Sequence, residues 1–421
     1  MKNILKSTAV GLMLAAGLPA AYAGGSADST GGIKVKSDDG RFEGALGGRV
    51  QYDYETFEKD TKGRTNGYSE GPFMRRAYIT LTGKAFDFKY KLEYDLASLG
   101  SSTGTAGAAK EVWLGTDVLW GFVKAGHMQP AYGMEETTSS NDLLFTERPY
   151  ISNNTIYKSR EFQNGISYDT HALEGLTAMV VVYQANPNND KDTSATQPVG
   201  AAAPNNTANG HGYSGRVTFA PLMNDTAVVH VGASYDDVNW KTGTAGQGAD
   251  APGVSALIVA KNAPTLTVVT GAYDEQKTLG GELAGRFGMF FLQGEYAKAK
   301  YSMIAPTVAV PDQNLTSYYA QASVFVTGES KPYKADKGVF GNPKPSNLDL
   351  GAIELKARYD TVKNDDLANK PKATMTSFGV NYYFNPNVRV MLDYNMGDAK
   401  QVAAPTADKP KALVLRGQIA F

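Results

Sequence analysis

The C-terminal segment, residues 413–421, alternates between an apolar and a largely polar set of side chains. Arg416 and Gln418 belong to the polar set, and the chain ends on an aromatic residue. The apolar set consists of Leu413, Leu415, Gly417, Ile419 and Phe421. Successive side chains of a β-strand point to opposite faces, so this segment is predicted to be a strand whose two faces meet different solvents.

The same two-residue period recurs in the interior of the chain. In residues 86–96 every second residue is charged, and the charged set consists of Asp87, Lys89, Lys91, Glu93 and Asp95. A helix would distribute these charges around its circumference. In a soluble β-sandwich, a row of charges facing the core would be too costly to bury. The pattern therefore favours strands with one face against lipid and the other against water.

These strands are predicted to form one transmembrane domain, residues 41–421. Other alternating segments are residues 42–54, 213–219, 283–287, 353–359, 378–384 and 388–396. No apolar run approaches the ~18–20 residues that a membrane-spanning helix needs, and only a closed barrel of strands can satisfy its backbone hydrogen bonds in lipid. We expect an all-β, antiparallel transmembrane barrel of about sixteen strands, wide enough for a water-filled bore.

The start of the chain has the features of a secretory signal. Lys2 and Lys6 form a charged start, an apolar stretch follows over residues 10–18, and Ala21-Tyr22-Ala23 is a small-residue cleavage site. We expect residues 1–23 to be removed, with residues 24–40 forming a short N-terminal segment before the barrel. Export and a closed barrel together predict the outer membrane of a Gram-negative bacterium, with lipid as the partner of the outer face.

Charge and composition exclude several classes of function. The formal net charge is -1, so the chain is not a polycation built to bind nucleic acid. It has 0 Cys, and therefore neither disulfides nor thiolate metal sites. Its 4 His lie in no motif of a hydrolase or metalloprotease. We expect no catalytic residue, no metal and no cofactor.

The connections between strands differ in length. Asn385-Pro386-Asn387 is predicted to be a tight periplasmic turn, because turns at that end of outer-membrane barrels are short. Longer polar stretches are interpreted as extracellular loops, namely residues 186–210, 241–253, 331–347 and 400–411. A barrel of this kind usually serves passive diffusion of small hydrophilic solutes and ions.

The first third of the chain carries a series of motifs in a recognisable order. They occupy residues 74–77 (Met-Arg-Arg-Ala), 110–115, 123–135, 138–140, 146–148 and 159–161. This series resembles the phosphate-selective porin O/P family. The resemblance implies a homotrimer of barrels, inorganic anions such as phosphate among the solutes, and a third loop, here residues 129–160, that folds into the lumen and sets its width.

The resemblance and the alternation together suggest which residues contact solutes. Arg76 falls on the polar phase of its strand, whereas Arg75 falls on the opposite phase and is expected at a strand irregularity or at the interface. The resemblance places Arg148, Ser139 and Ser140 in the constricting loop. Two alternatives stay open: Arg75 and Arg76 as wall charges balanced by carboxylates, and Arg148 as a brace paired with a glutamate of its own loop.

Some positions depart from the family's phosphate-specific members. Glu136 and Asn141 stand where those members have lysines, and Glu111 provides a further carboxylate near the expected site. Lys124 and several inward arginines are expected to favour anions instead. A carboxylate in place of an ammonium raises the barrier for anions in a narrow bore, so phosphate binding is expected to be weaker than in those members.

Two other classes of function remain alternatives. A structural or adhesin barrel would use its long polar loops and keep its interior closed, and conductance separates it from a channel. A barrel enzyme would need a nucleophile and a base in one cluster.

Overall fold

The structure is a computed structural model, and it describes most of the chain. The described residues are 25–28, 33–58, 67–97, 108–153, 155–157, 162–185, 210–240, 253–304, 310–400 and 408–421. The predicted signal peptide at residues 1–23 lies outside this part, as do the motif at residues 159–161 and most of the predicted loop at 186–210.

β-strands are the main secondary structure of the described residues. In chain order these are β1 (Gly25–Asp28), β2 (Ile33–Ser37), β3 (Phe42–Glu58), β4 (Gly71–Ala85), β5 (Phe88–Asp95), β6 (Ala108–Val118), β7 (Gly121–Met128), β8 (Gln163–Leu173), β9 (Leu176–Ala185), β10 (Gly210–Met223), β11 (Ala227–Asn239), β12 (Ser255–Leu257), β13 (Thr265–Thr267), β14 (Tyr273–Phe287), β15 (Phe290–Met303), β16 (Gln313–Phe325), β17 (Tyr333–Lys334), β18 (Val339–Phe340), β19 (Ala352–Asn364), β20 (Lys372–Asn385), β21 (Val388–Lys400) and β22 (Lys411–Ala420). One short helix, α1 (Met134–Thr137), lies between β7 and β8. Within the described residues, no helix has both the length and the apolar character needed to cross a membrane.

The long strands close into one barrel. Each pairs antiparallel with the next, and β22 pairs with β3 in a register that joins Arg416 to Asp53. The barrel has 16 strands, and the prediction of an all-β antiparallel barrel of about this size is confirmed. Closure leaves the long strands without an unpaired edge, which is the arrangement that lets strands cross lipid.

The two faces of the strands follow the alternation of the sequence. In β22, Leu413, Leu415 and Ile419 are exposed, whereas Val414 and Arg416 are buried. The same division holds in β5, where Phe88, Leu92 and Tyr94 lie outside. An apolar outer belt with aromatic rings and a polar inner face is the distribution that a barrel in a bilayer requires.

The chain terminus lies at the seam of the barrel. The Phe421 N–H donates to the Gly48 carbonyl at 3.0 Å, and Gly48 N–H donates to the Phe421 carbonyl at 2.8 Å. Beyond this point β2 takes over as the neighbour of β3, with Ile33 opposite Leu46. A Cβ on Gly47 would lie 2.6 Å from the Phe421 carbonyl oxygen, so only glycine permits this approach.

One predicted extracellular loop lies at the same end of the barrel as the predicted periplasmic turn. The connection from β16 to β19, residues 326–351, leaves the barrel at the same end as the short turn at 386–387, because strands alternate in direction. The prediction that residues 331–347 form an extracellular loop and the prediction that Asn385-Pro386-Asn387 is a periplasmic turn therefore cannot both hold. Length and polar composition indicated a loop, but the side is set by the parity of the strands.

A dry core fills part of the barrel near the end with long loops. Residues of the β12–β13 hairpin and its flanks, such as Ile258 and Val259, pack against buried side chains of β20 and β22, including Met375 and Val414. Backbone groups of the hairpin are also bound, since Asn395 Nδ2 donates to the Val259 carbonyl at 2.9 Å. This side of the interior is therefore closed to water by apolar packing.

Candidate functional site

The described part of the connection between β7 and β8, residues 129–153 and 155–157, is largely buried and contacts strands far away in the chain. We call it the β7–β8 segment. Its Thr146 N–H donates to Asp393 on β21 at 2.7 Å, and its Glu135 N–H donates to Glu295 on β15 at 2.7 Å. The segment thus contacts the polar faces of strands on two different parts of the wall.

Helix α1 of this segment depends on a glycine. Gly133 is its N-cap and offers no side chain, so the carboxylate of Glu295 accepts the hydrogen bond from Glu135 N–H in its place. A Cβ on Gly133 would lie 1.9 Å from Glu295 Oε2. The glycine therefore lets the wall carboxylate reach the start of the helix.

Inward cations hold the backbone of the β7–β8 segment. Four of them, on β19, β21 and β22, donate to carbonyl oxygens between residues 143 and 147 at distances from 2.6 to 3.0 Å. The pairs are Arg389 with Leu143, Lys356 with Leu144, Arg416 with Thr146, and Arg358 with Glu147. These cations satisfy backbone acceptors, so they are not displayed to water as the sequence alone suggested.

Arg75 also binds the β7–β8 segment. The pairing of β3 with β4 shifts between Gln51 and Tyr52, which makes Arg75 the extra residue of a β-bulge, and the strand irregularity expected there is present. Its Nε and Nη2 lie 2.5 and 2.9 Å from the two carboxylate oxygens of Glu147. Burial raises the pKa of Glu147, but Arg75, Arg76 and Arg416 outweigh burial and hold it well below its usual value.

Arg76 is buried beneath this contact. Its side chain donates from Nη1 to Gln51 Oε1 at 2.8 Å, and the residue is 6% exposed. Arg76 falls on the polar phase of the alternation, and it lies on the inner face as that phase predicts. It lies behind the β7–β8 segment rather than at a water-exposed surface.

Arg148 and Glu136 are tied to each other and to their own segment. Arg148 donates from Nη2 to the Thr138 carbonyl at 2.7 Å and from Nε to the Glu135 carbonyl at 3.1 Å. Its Nε also lies 3.5 Å from Glu136 Oε2. Glu136 is almost fully buried and accepts a further bond from Gln129 at 2.9 Å. This geometry matches the alternative in which Arg148 braces the loop.

The other part of the inner wall carries a row of charged side chains that are between 6% and 30% exposed. We call it the mixed-charge row, and it runs over β3, β5, β6, β7 and β8. Lys91 pairs with Glu111, and Lys124 Nζ lies 3.2 Å from Asp169 Oδ2. The members of the row are Arg49, Lys91, Glu93, Glu111, Lys124 and Asp169. Positive and negative groups alternate, so the row carries little net charge.

The two serines of the segment meet this row. Arg49 Nη1 donates to Ser140 Oγ at 2.5 Å and lies 3.5 Å from Ser139 Oγ. Gln51 Nε2 also donates to the Ser140 carbonyl at 2.9 Å. The structure therefore brings Ser139 and Ser140 together with Arg49.

The eight residues expected from the sequence to contact solutes fall into two groups in the structure. Glu111 and Lys124 lie in the mixed-charge row, with Ser139 and Ser140 beside it. Arg75, Arg76, Glu136 and Arg148 are engaged in internal contacts. Lys91 and Arg49 were not among the residues predicted to contact solutes; Arg49 is one of the several inward arginines. Lys91 belongs to the charged set of residues 86–96, which was the available signal.

The sequence has clear relatives. A model of the family described as phosphate-selective porin O and P matches residues 45–421. Porin O of Pseudomonas aeruginosa is 29% identical over 400 residues, which cover 86% of this chain and 85% of that protein.

Solved structures share the fold at much lower identity. OmpT, an outer membrane protein of Vibrio cholerae, superposes with a TM-score of 0.55 at 11% identity, over 92% of this chain and 99% of that one. An anion-selective porin from Comamonas acidovorans gives a TM-score of 0.54 at 14% identity, over 90% and 100% of the two chains. The barrel, its two faces and the family match agree, and the chain belongs to the phosphate-selective porin O and P family of outer-membrane channels.

Proposed function

We propose that this porin is a passive channel for small hydrophilic anions, and that its bore runs along the mixed-charge row. The carrying observation is the set of three cations, Arg49, Lys91 and Lys124, which lie on one part of the inner wall with side chains 11%, 20% and 12% exposed, and of which Arg49 donates to Ser140. Guanidinium and ammonium groups next to hydroxyl donors are the groups that replace water around an oxyanion.

Burial supports this position for the bore. The side chains of Lys91 and Glu111 are 20% and 25% exposed, whereas those of Lys356 and Arg416 are fully buried. In this proposal the β7–β8 segment lies inside the barrel against β19–β22 and narrows the aqueous space to the side of β3–β8. The predicted constriction loop at residues 129–160 then has the role that the family resemblance implied.

The preference for anions also has support from relatives. The family is described as phosphate-selective, and the Comamonas acidovorans structure is an anion-selective porin. Phosphate binding in this chain is proposed to be weak. Each cation of the mixed-charge row already has a carboxylate partner, and Glu136 and Asn141 supply no ammonium group.

Three further properties belong to the proposal. The protein is exported with loss of residues 1–23, keeps residues 24–40 as a short N-terminal segment before the barrel at 41–421, and assembles as a homotrimer. It transports without chemical catalysis. The signal-like sequence supports the first property, and membership of a porin family supports the other two.

Purified protein in planar bilayers tests this function. Under a KCl gradient, the zero-current potential is expected to have the sign of chloride preference, and millimolar phosphate is expected to reduce the chloride current only partly. A zero-current potential of the opposite sign would contradict the anion preference. Absence of conductance would favour the structural barrel instead.

A further inference from the structure

Glu93 is placed among cations of the mixed-charge row. It lies on the inner face of β5 and is 5% exposed. A single oxygen, Oε2, accepts a hydrogen bond from Arg49 Nη2 at 3.1 Å and from Thr80 Oγ1 at 2.9 Å. The same oxygen lies 3.6 Å from Lys91 Nζ.

This set of contacts is the one that a solute oxyanion would use. A guanidinium, an ammonium and a hydroxyl converge on one carboxylate oxygen, and charge-assisted hydrogen bonds of this kind bind phosphate and carboxylate oxygens alike. The protein's own carboxylate therefore occupies a place that suits an oxygen of a solute.

Arg49 is held rigidly beside this place. Its guanidinium carbon lies 4.5 Å from the centre of the Tyr78 ring, and Nη1 donates to Ser140. Its Nε is buried and has no hydrogen-bond partner among the described residues. The arginine is thus positioned by contacts other than Glu93, so its guanidinium is expected to stay in place when that carboxylate loses its charge.

We propose that Glu93 sets the affinity of the channel for oxyanions by acting as an internal competitor for Arg49 and Lys91. The inference rests on the proposed function and deepens it. A solute oxyanion can bind these two cations only where it displaces Glu93 from them or shares them with Glu93. Removal of this one charge leaves an oxyanion site lined by Arg49, Lys91, Thr80 and Ser140.

The position of Glu93 distinguishes it from the other carboxylates. Glu136 is compensated within its own segment by Arg148, and Glu111 lies between Lys91 and Lys124. Glu93 alone contacts both Arg49 and Lys91 within the described part of the chain. It is therefore the residue whose neutralisation changes the charge next to Arg49 most directly.

The test is the block of chloride current by inorganic phosphate in Glu93→Gln. The amide keeps the size of the side chain and removes its charge. We expect half-block at a phosphate concentration about tenfold lower than in the wild type at low salt, with a smaller gain at high salt. Glu43→Gln is the matched control, because it removes an equal charge from the exposed Lys36–Glu43 pair. It should leave the block unchanged.

A second variant separates unmasking of Arg49 from a general change in charge. Adding Arg49→Gln to Glu93→Gln should remove most of the tenfold gain. An unchanged block in Glu93→Gln, or a gain that survives Arg49→Gln, would overturn the proposal. Glu93→Ser is made in parallel to guard against misfolding, and failure of both Glu93 variants to insert would also overturn it, since Glu93 would then be a structural brace.

Measurements on the wild-type protein distinguish a failure of this proposal from a failure of the proposed function. Chloride preference in the wild type with no gain in Glu93→Gln contradicts only the role of Glu93. A wild type that prefers potassium or does not conduct contradicts the proposed function itself.

Discussion

Arg75 and Glu147 form a two-point ion pair that joins the bulge of β4 to the β7–β8 segment, with distances of 2.5 and 2.9 Å. Both side chains are largely buried, at 16% and 6% exposure. The pair connects the wall to a segment more than seventy residues later in the chain. Several expected properties of the channel depend on this attachment.

Replacing Arg75 by Gln is expected to loosen the β7–β8 segment. Glu147 would keep a buried charge with weaker compensation from Arg416, and loss of one partner from a buried pair costs about 3 kcal/mol. We expect a lower unfolding temperature in detergent and a larger, noisier single-channel conductance. Lys89→Gln, which breaks an exposed pair with Asp117, is the control and should behave like the wild type. Quiet wild-type currents from Arg75→Gln would show that the pair does not hold the segment.

The same pair predicts how the channel responds to acid. The pKa of Glu147 is depressed in the folded protein from its ordinary value of 4.5. The stability that this group contributes is therefore fully present above pH 4.5, falls progressively below that pH, and is gone once the pH has passed through the lower, folded pKa. Conductance recorded between pH 7 and pH 5 should show no step from release of this contact. A step in that range that is absent from Arg75→Gln would contradict the assignment.

Gly133→Ala is expected to disturb the contact between α1 and the wall. The new methyl group would lie 1.9 Å from Glu295 Oε2, so the carboxylate or the segment must move, at a cost of about 1–3 kcal/mol. Thermal unfolding and single-channel conductance measure the effect. Gly281→Ala is the control, because a methyl group there meets nothing within 4 Å. Equal behaviour of the two variants would argue against this packing.

Two carboxylates should differ in their effect on ion preference. Glu111→Gln removes the partner of Lys91, so we expect the chloride-to-potassium permeability ratio to rise about two- to fivefold. Glu136→Gln should change the ratio little, because Glu136 is buried beside Arg148. Zero-current potentials in a KCl gradient measure both. A larger shift for Glu136→Gln than for Glu111→Gln would place the bore on the other side of the segment.

Two cations should also differ in their effects: replacing one should change ion preference, and replacing the other should mainly lower stability. Lys124→Gln is expected to lower the preference for chloride without a large loss of stability, because Lys124 is partly exposed in the mixed-charge row. Arg76→Gln is expected to lower stability and to change ion preference less, since Arg76 is buried against Gln51. Paired thermal unfolding and zero-current measurements distinguish the two cases.

The alternation of the sequence predicted the strands and their faces because the polarity of each side chain is set locally, by whether its face of the strand meets lipid or the interior of the barrel. The order of residues 413–421 was enough to assign Arg416 to the inner face and Leu415 to the outer one. A strand irregularity at Arg75 was one of two predicted alternatives, because two adjacent arginines cannot both follow a two-residue period, and the structure has a bulge there.

The internal contacts could not be predicted from the sequence. Arg49 meets Ser140 across some ninety residues of chain, and Arg389 reaches the carbonyl of Leu143 from β21. Such contacts join residues that are far apart in the sequence, and no local pattern encodes them. For the same reason Arg148 was expected to contact solutes, although its donors bind carbonyl oxygens of its own segment.

The position of the bore is tested most directly by modification of single cysteines, since the chain has 0 Cys of its own. Lys124→Cys lies in the mixed-charge row, whereas Ser377→Cys lies on the fully buried face of β20. A negatively charged thiol reagent is expected to reduce the chloride current of Lys124→Cys within minutes and to leave Ser377→Cys unchanged. Rapid modification of Ser377→Cys with no effect on Lys124→Cys would contradict a bore along β3–β8.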